Sequence, residues 1–599
     1  MRAQSLRAMF PATALLVCAL GWASPSRGTI RYGVSINQPE QHLFHVTMTI
    51  PDVSGEVTVR LPAWNALYQI RDFSSHVQQV EALVGSAKAP IEKLDKQTWR
   101  IAGQGTITVR YTTYWDEPGP FATQLNGEHA FINPAMILMY VDSRRSEDVA
   151  VTIGFFTSAW TISGPPIESC RLFSQRAICS LNAISYDALA DAPIEIGNAE
   201  QFDLPGISPR VTVVVHGDHW SKGKIETELS KICQYELKLM DGAPFERYTF
   251  ILHIGKGAGG GGMEHANSTA IGIPSDEYLA GVAAHEFFHL WNVKRIRPAS
   301  LEPVDYTKEQ YTRALWFAEG VTSTYGAYTL VRTGIWSKER FYADLGEQIS
   351  ELEARPANRW QSAEQSSLDA WLEKYPLYNG PDDSVSYYTK GQVLGDLLDI
   401  LIRDRTGNEK SLDDVLRGLN TDFAKQGKTY RDSLDIRLEA EKVAGESFEE
   451  FFRDYVAAAE PLPYRQALAL AGLEVRTVEH KRAALGFSAE RESAGTVTVR
   501  TVDDGSTAAQ AGLRVGDVMV SWNDADVPRS LGRWARERQP GETVRVRVRR
   551  EEKERTLDFK LGEEKELLYQ VVEDVHANEK ARRIREGLLH GVTQTATVH

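Results

Sequence analysis

The chain has 599 residues, too many for one typical domain and enough for three or four, each with a core of its own. With 42% hydrophobic and 25% charged residues it has the composition of a folded globular protein, and no run of like charges is long enough to mark a disordered tail. A formal net charge of −14 excludes nucleic acid and anionic membrane surfaces as expected partners. At the start, Arg2 and Arg7 precede an apolar stretch from Ala8 to Trp22, and small and turn-forming residues follow around Ala23 to Gly28. That order predicts a secretory signal peptide over residues 1–23 and export to the periplasm or beyond. At about fifteen residues the apolar stretch is shorter than the roughly 20 that span a bilayer, so the mature chain is expected to carry no integral membrane segment. In an oxidising compartment Cys170 and Cys179 either close a short loop as a disulfide or stay as two buried thiols, whereas Cys233 reads as a core thiol.

Residues 24–203 show period-two alternation in "HLFHVTMTIP", "GEVTVRLP", "QTWRIAGQGTITVRYTTYW" and "DVAVTIGF", which predicts an antiparallel β domain. After the linker "DLPGISP", two apolar strands, "VTVVVHG" and "YTFILHIG", flank a helical pattern around Cys233, and from Asp276 to about Ala459 the pattern is mostly helical. A β domain, a mixed domain over 204–465 and a helical lobe add up to a multidomain α+β architecture rather than a doubly wound sheet. Between the mixed strands and the helices lies "GKGAGGGGMEHANST", in which Gly255, Gly257 and Gly260 fit a dinucleotide fingerprint. The chain after Gly262 reads as extended, so no helix N-terminus is predicted to meet a phosphate, and the glycines read instead as bare backbone in close approach. His216 and His219, at a strand end without acidic or cysteine companions, read as structural; Lys294, Arg295 and Arg297 are open between a substrate carboxylate and a solvated basic face.

The segment "GVAAHEFFHLWNVKRIRP" contains His285-Glu286-x-x-His289. Residues four apart share one face of a helix, so both imidazoles can reach one ion, with Glu286 beside them as general base. Ser275 is the expected N-cap of that helix. Thirty residues on, "ALWFAEGVTSTYGAY" sets Glu319 in an apolar helical run, where a buried carboxylate needs a partner and a metal ion is a suitable one. That makes Glu319 the third ligand ahead of Glu302, Asp305 and Glu309 in the polar connection.

Near Pro461 the pattern changes again: "ALGFSAE", "AGLRVGDVMVSWN" and the hairpin "TVRVRVRREEKERTLDFKL" resemble a PDZ domain, placed at 470–562, with a charged helix and tail at 563–599. That resemblance implies binding of an extended peptide as an added strand, its C-terminal carboxylate held at Leu485, Gly486 and Phe487. Together with "HEFFHLWNVKRIRP", "FAEG", "LPAWNALYQIRDF" and "GGMEH", the chain resembles the glycyl aminopeptidase family of zinc metallopeptidases. The resemblance implies a thermolysin-like catalytic domain, one zinc ion, and peptide substrates with a free N-terminus, cleaved at that end after small residues such as glycine or alanine. "GGMEH" is also similar to a Gly-x-Met-Glu-Asn segment of the aminopeptidase N family, which implies that Glu264 pairs with the substrate amine, with Gly261, Gly262 and Met263 beside it. His265 stands where those relatives have asparagine. By the same similarity Tyr388, or its neighbour Tyr387, donates to the oxyanion. A zinc endopeptidase, or a non-catalytic PDZ peptide-binding protein, is the alternative reading.

Overall fold

The computed structural model describes residues 28–593 apart from residues 66, 157–159, 166, 174–175, 376–377, 492–494 and 552; the expected signal peptide lies outside the described residues. In the first domain, apolar side chains alternate with polar ones along Ile30–Ile36, Leu43–Arg60 and Thr98–Tyr114. Their inward faces, among them Tyr32, Met48, Val59, Val109 and Tyr111, share one core. Leu43–Arg60 pairs antiparallel with Thr98–Tyr114, with an irregularity between Ile50 and Val53. The antiparallel expectation needs one correction: Ile30–Ile36 runs parallel to Val149–Phe156, from Ile30 opposite Val149 to Ile36 opposite Phe155. Alternation reports which face is buried but not strand direction, so the sequence pattern is silent on this pair. A second sheet holds His129–Ile132 antiparallel to Ile194–Gly197, every residue of both strands buried. Cys170 and Cys179 sit opposite each other in the hairpin formed by Ile167–Phe173 and Arg176–Ala183 and are joined by a disulfide, which resolves the choice the sequence left open.

In the next domain, Arg210–Gly217 and Arg247–Ile254 pair in parallel, connected by the helix Lys222–Leu239. Ile225, Leu229, Ile232 and Cys233 form that helix's buried stripe. Ser268–Ile273 adds a third parallel strand, and Gly261–Glu264 closes the sheet as an antiparallel edge strand, with Glu264 opposite Thr269. The glycine run therefore opens onto an edge strand and not onto a helix. The helices of the lobe pack behind this sheet around one extended core. No helix among the described residues is long and apolar enough to cross a membrane.

One helix contact in the lobe depends on two glycines. Helix Tyr387–Arg405 crosses the segment carrying Glu319 with Gly391 against Gly320; a Cβ on Gly391 would lie 2.2 Å from the Trp316 carbonyl oxygen and 2.9 Å from the Gly320 Cα. Both obstacles are backbone, so neither can swing away. Gly391→Ala is expected to destabilise the protein by about 1–3 kcal/mol in chemical unfolding, the usual cost of overpacking.

The third domain is a five-stranded antiparallel sheet around Phe487, Val499, Trp522 and Val546, with Phe487–Arg491 at one edge. The segment beyond it departs from expectation. Gly562–Glu573 is a strand, not a charged helix, and pairs antiparallel with Leu473–Ala484 from end to end. Its charges pair across that ribbon, Glu563 with Lys481 and both Glu564 and Glu566 with Arg482, so they mark strand pairing where composition suggests a solvated helix. The helix that follows, Glu579–His590, buries Ile584, Leu588 and Leu589 in the lobe, where Arg332 donates to the Leu588 carbonyl. The PDZ-like sheet is thus carried between the two strands of a ribbon rooted in the lobe.

Candidate metal centre

The helix Leu279–Phe288 ends at the site. Ser275 caps a preceding 3-10 turn without a side-chain hydrogen bond, and Asp276 accepts from the Ser221 amide and so ties that turn to the helix Lys222–Leu239. His285 and His289 stand one turn apart with their Nε2 atoms 3.0 Å from each other. Glu319 Oε2 lies 3.4 Å from the first and 3.3 Å from the second, so all three donors converge on one point. Glu319 belongs to a stretch of π-helix, Trp316–Val321, a widened turn that Asn292 braces by donating to the Phe317 carbonyl and to Thr322. The far nitrogen of each imidazole is also engaged: His289 Nδ1 with the Asn292 carbonyl at 2.7 Å, His285 Nδ1 with Ser323 at 3.3 Å. Such outer contacts set the tautomer that leaves Nε2 free to ligate.

The electrostatics call for a cation here. Burial alone would raise the Glu319 carboxyl, yet His289 and His285 hold it well below the usual carboxylate range. Burial would lower His289, yet Glu319, and then Glu264 and Glu286, push it up to about 10. Glu264 and Glu286 stand beside these three donors, so a divalent ion on His285, His289 and Glu319 would sit among acids that favour it. The donor set, its convergence and its outer contacts all fit such an ion.

Glu286 is only 6% exposed, and its Oε2 has no hydrogen-bond partner. Burial, then the charges of Glu264 and Glu319, raise its pKa, while His289 opposes them. Gly262 lies flat against it: a Cβ there would sit 2.4 Å from the Glu286 Cδ and Cγ. That contact explains the bare backbone, because only glycine lets the edge strand lie this close to Glu286. The strand brings Glu264 with it, and carboxylate and imidazole atoms of Glu264, Glu286 and His289 lie within 4.8 Å of one another. Asp191, contributed by the first domain, anchors the turn that follows. It meets His265 Nδ1 at 3.0 Å, the Ala266 amide at 2.9 Å and Lys294 Nζ at 2.8 Å. Against the effect of burial, Lys294 and His265 keep its carboxyl strongly ionised. Lys294 is thereby committed, Arg295 donates to the Leu290, Pro244 and Ala266 carbonyls, and Arg297 pairs with Glu302; these three form no solvated basic face.

A cleft of about 410 Å³ opens over these groups, and Gly262, Met263 and Glu264 line it together with Tyr387 and Tyr388. Tyr388 is 38% exposed, and its ring lies 6.1 Å from that of His285, whereas Tyr387 packs with Val293, Leu315 and Ala370. Partial desolvation at the cleft wall, then the charge of Glu319, raises the Tyr388 pKa and keeps its phenol a donor. The first domain adds Trp64, Asn65, Tyr68 and Phe121 to the walls. Both polar atoms of the Asn65 amide are buried without a partner. Residue types and spacing single out neither Asn65 nor Asp191, since only domain docking brings them to the cleft. Glu373, also unforeseen, has its pKa raised to about 7 by burial and by Glu319. In the PDZ-like sheet, Gly486 has φ +72° and its carbonyl accepts from Ser506 and from the Asp503 amide, so Leu485-Gly486-Phe487 forms a tight loop leading into the edge strand. His219 is exposed, whereas His216 stacks on His129 where the first domain meets the sheet.

Family models match three parts of the chain: M61 glycyl aminopeptidase at residues 278–394, the M61 N-terminal domain at 31–198, and a PDZ domain at 483–561. Among curated proteins none matches. Of the solved structures, an aminopeptidase N family protein from Idiomarina loihiensis is 26% identical with a TM-score of 0.78, covering 94% of this chain and 100% of its own. An M1 zinc metallopeptidase from Deinococcus radiodurans is 12% identical with a TM-score of 0.47, over 73% of this chain and 94% of its own. The two peptidase models fall in family order on the domains that build the cleft, and over residues 31–198 and 278–394 the chain matches the M61 glycyl aminopeptidase family of metallopeptidases.

Proposed function

We propose that the protein is a zinc-dependent aminopeptidase that removes small N-terminal residues such as glycine or alanine from peptides. The observation that carries this reading is the placement of Glu264, a carboxylate on the edge strand within 4.8 Å of the base Glu286 and of His289. Zinc held by His285, His289 and Glu319 supplies Lewis acidity at the scissile carbonyl. The chain's own groups do the rest. Glu264 pairs with the α-ammonium of the substrate and so places the first peptide bond over the site. Glu286 takes a proton from the attacking water and delivers it to the leaving amine. Tyr388 donates to the oxygen on which charge develops. A purely structural ion would give no reason to bury Glu286 unpartnered beside it, which disfavours a non-catalytic scaffold.

Glu264→Ala tests the exopeptidase reading. The variant is expected to lose roughly a hundredfold or more in kcat/KM on a free-amine dipeptide amide, the scale of losing one partner of a close charge pair. Unchanged kcat/KM would refute the role. For Tyr388→Phe, steady-state kinetics should show kcat lower by about 10²-fold with KM little changed, because the hydrogen bond forms with the developing charge.

Export remains part of the proposal, supported by the amino-terminal pattern and the Cys170–Cys179 disulfide, and cell fractionation tests it. The free edge at Phe487–Arg491 supports strand addition of a peptide C-terminus at Leu485, Gly486 and Phe487.

A further inference from the structure

A second cluster of donors lies where the first domain meets the catalytic sheet, and none of its residues lines the catalytic cleft. His129 and Glu195 come from the paired strands His129–Ile132 and Ile194–Gly197; His253 and His216 are register partners in the parallel strands of the next domain. His129, Glu195 and His253 are 3%, 1% and 5% exposed. His129 Nδ1 lies 2.9 Å from Glu195 Oε1 and His253 Nε2 lies 2.9 Å from Oε2, and the donor atoms of all three are within 4.8 Å of one another.

The rim of the cluster decides where its protons are. Gln124 Nε2 donates to Asp116 at 3.0 Å, which turns Gln124 Oε1 toward His129 Nε2 at 3.1 Å. An amide oxygen only accepts, so His129 Nε2 carries a proton. In a neutral imidazole Nδ1 is then bare, and it faces a carboxylate oxygen. Two lone pairs at 2.9 Å repel unless a cation lies on or between them. Glu195 is the shared partner, one carboxylate oxygen facing each imidazole. His216 stacks on His129 with ring centroids 3.9 Å apart; its buried Nδ1 has no hydrogen-bond partner. Two imidazoles and a carboxylate are the same donor set as the catalytic centre, and Gln124 on the remote nitrogen of His129 is the outer contact that ligating histidines carry.

We propose that His129, Glu195 and His253 form a second divalent-cation site, which joins the N-terminal domain to the catalytic sheet. The alternative cation is a proton on His129. Metal counting separates the two. Full-length protein is stripped with chelator, reloaded with Zn²⁺ alone, dialysed, and its ion content measured by mass spectrometry. The His285→Ala/His289→Ala variant, which lacks the catalytic ligands, is expected to keep one ion per chain, and adding Glu195→Gln should remove it. Zn²⁺ should also raise the unfolding midpoint of the first variant and leave the second unchanged. An ion-free His285→Ala/His289→Ala protein, or an ion that survives Glu195→Gln, overturns the proposal. Should Glu195→Gln fail to fold, His253→Gln replaces it, with the same expected loss.

Discussion

Glu286→Gln is expected to lower kcat by about 10³- to 10⁴-fold while the zinc content of the protein stays the same. The substitution keeps the shape of a side chain pressed against Gly262, so little repacking is needed. It removes the one property the mechanism uses, the capacity to take a proton. The buried Oε2 without a partner, and a pKa raised by burial and by two neighbouring carboxylates, support the proposed role in proton transfer. With the ion assigned to His285, His289 and Glu319, metal analysis should read alike in wild type and variant. A variant that lost zinc as well as activity would place Glu286 among the ligands and remove it as the base.

The second large effect concerns Glu319. Glu319→Ala, or treatment of the wild type with a chelator, is expected to reduce activity below about 1%, and added Zn²⁺ should restore only the chelated wild type. The physical reason is the same in both arms. Two imidazoles with Nε2 atoms 3.0 Å apart offer a poor site without the carboxylate, and the carboxylate balances the charge of the ion. Removing the ion should also lower the unfolding midpoint, by mass action on the native state; a ligand at 1,000 times its Kd contributes about 4 kcal/mol. Activity undiminished after exhaustive chelation would contradict a metallopeptidase mechanism altogether.

The parts of this site that obey a local rule are legible in the sequence. Residues His285 and His289 follow from helical spacing, Glu286 from its place between them, and Glu319 from the cost of burying a lone carboxylate in an apolar run. Glu264 and Tyr388 have no such rule and are visible only through family resemblance. Asn65, Tyr68 and Asp191 belong to the first domain and reach the cleft by docking, a long-range event with no periodicity to announce it. The same holds for Glu195 and His129, which meet His253 only across the domain boundary. Sheets follow from alternation and turn residues, and the PDZ-like region from resemblance, but the parallel pair Ile30–Ile36 with Val149–Phe156 follows from neither, because direction leaves no trace in a period-two pattern. In Gly562–Glu573 the glutamates hide the strand: they satisfy partners on the neighbouring strand, yet read one by one as solvated surface.

The proposed aminopeptidase character rests on Glu264, the edge-strand carboxylate assigned to the free amine of the substrate. Hydrolysis of glycyl or alanyl dipeptide amides, compared with the same compounds acetylated at the N-terminus, tests it most directly. An N-acetyl group removes the positive charge that the proposal pairs with Glu264 and adds bulk where the edge strand closes the cleft. The free-amine substrates should be cleaved, and the blocked ones should lose at least about 10²-fold in kcat/KM. Equal cleavage of both would contradict this role of Glu264 and mark the protein as an endopeptidase.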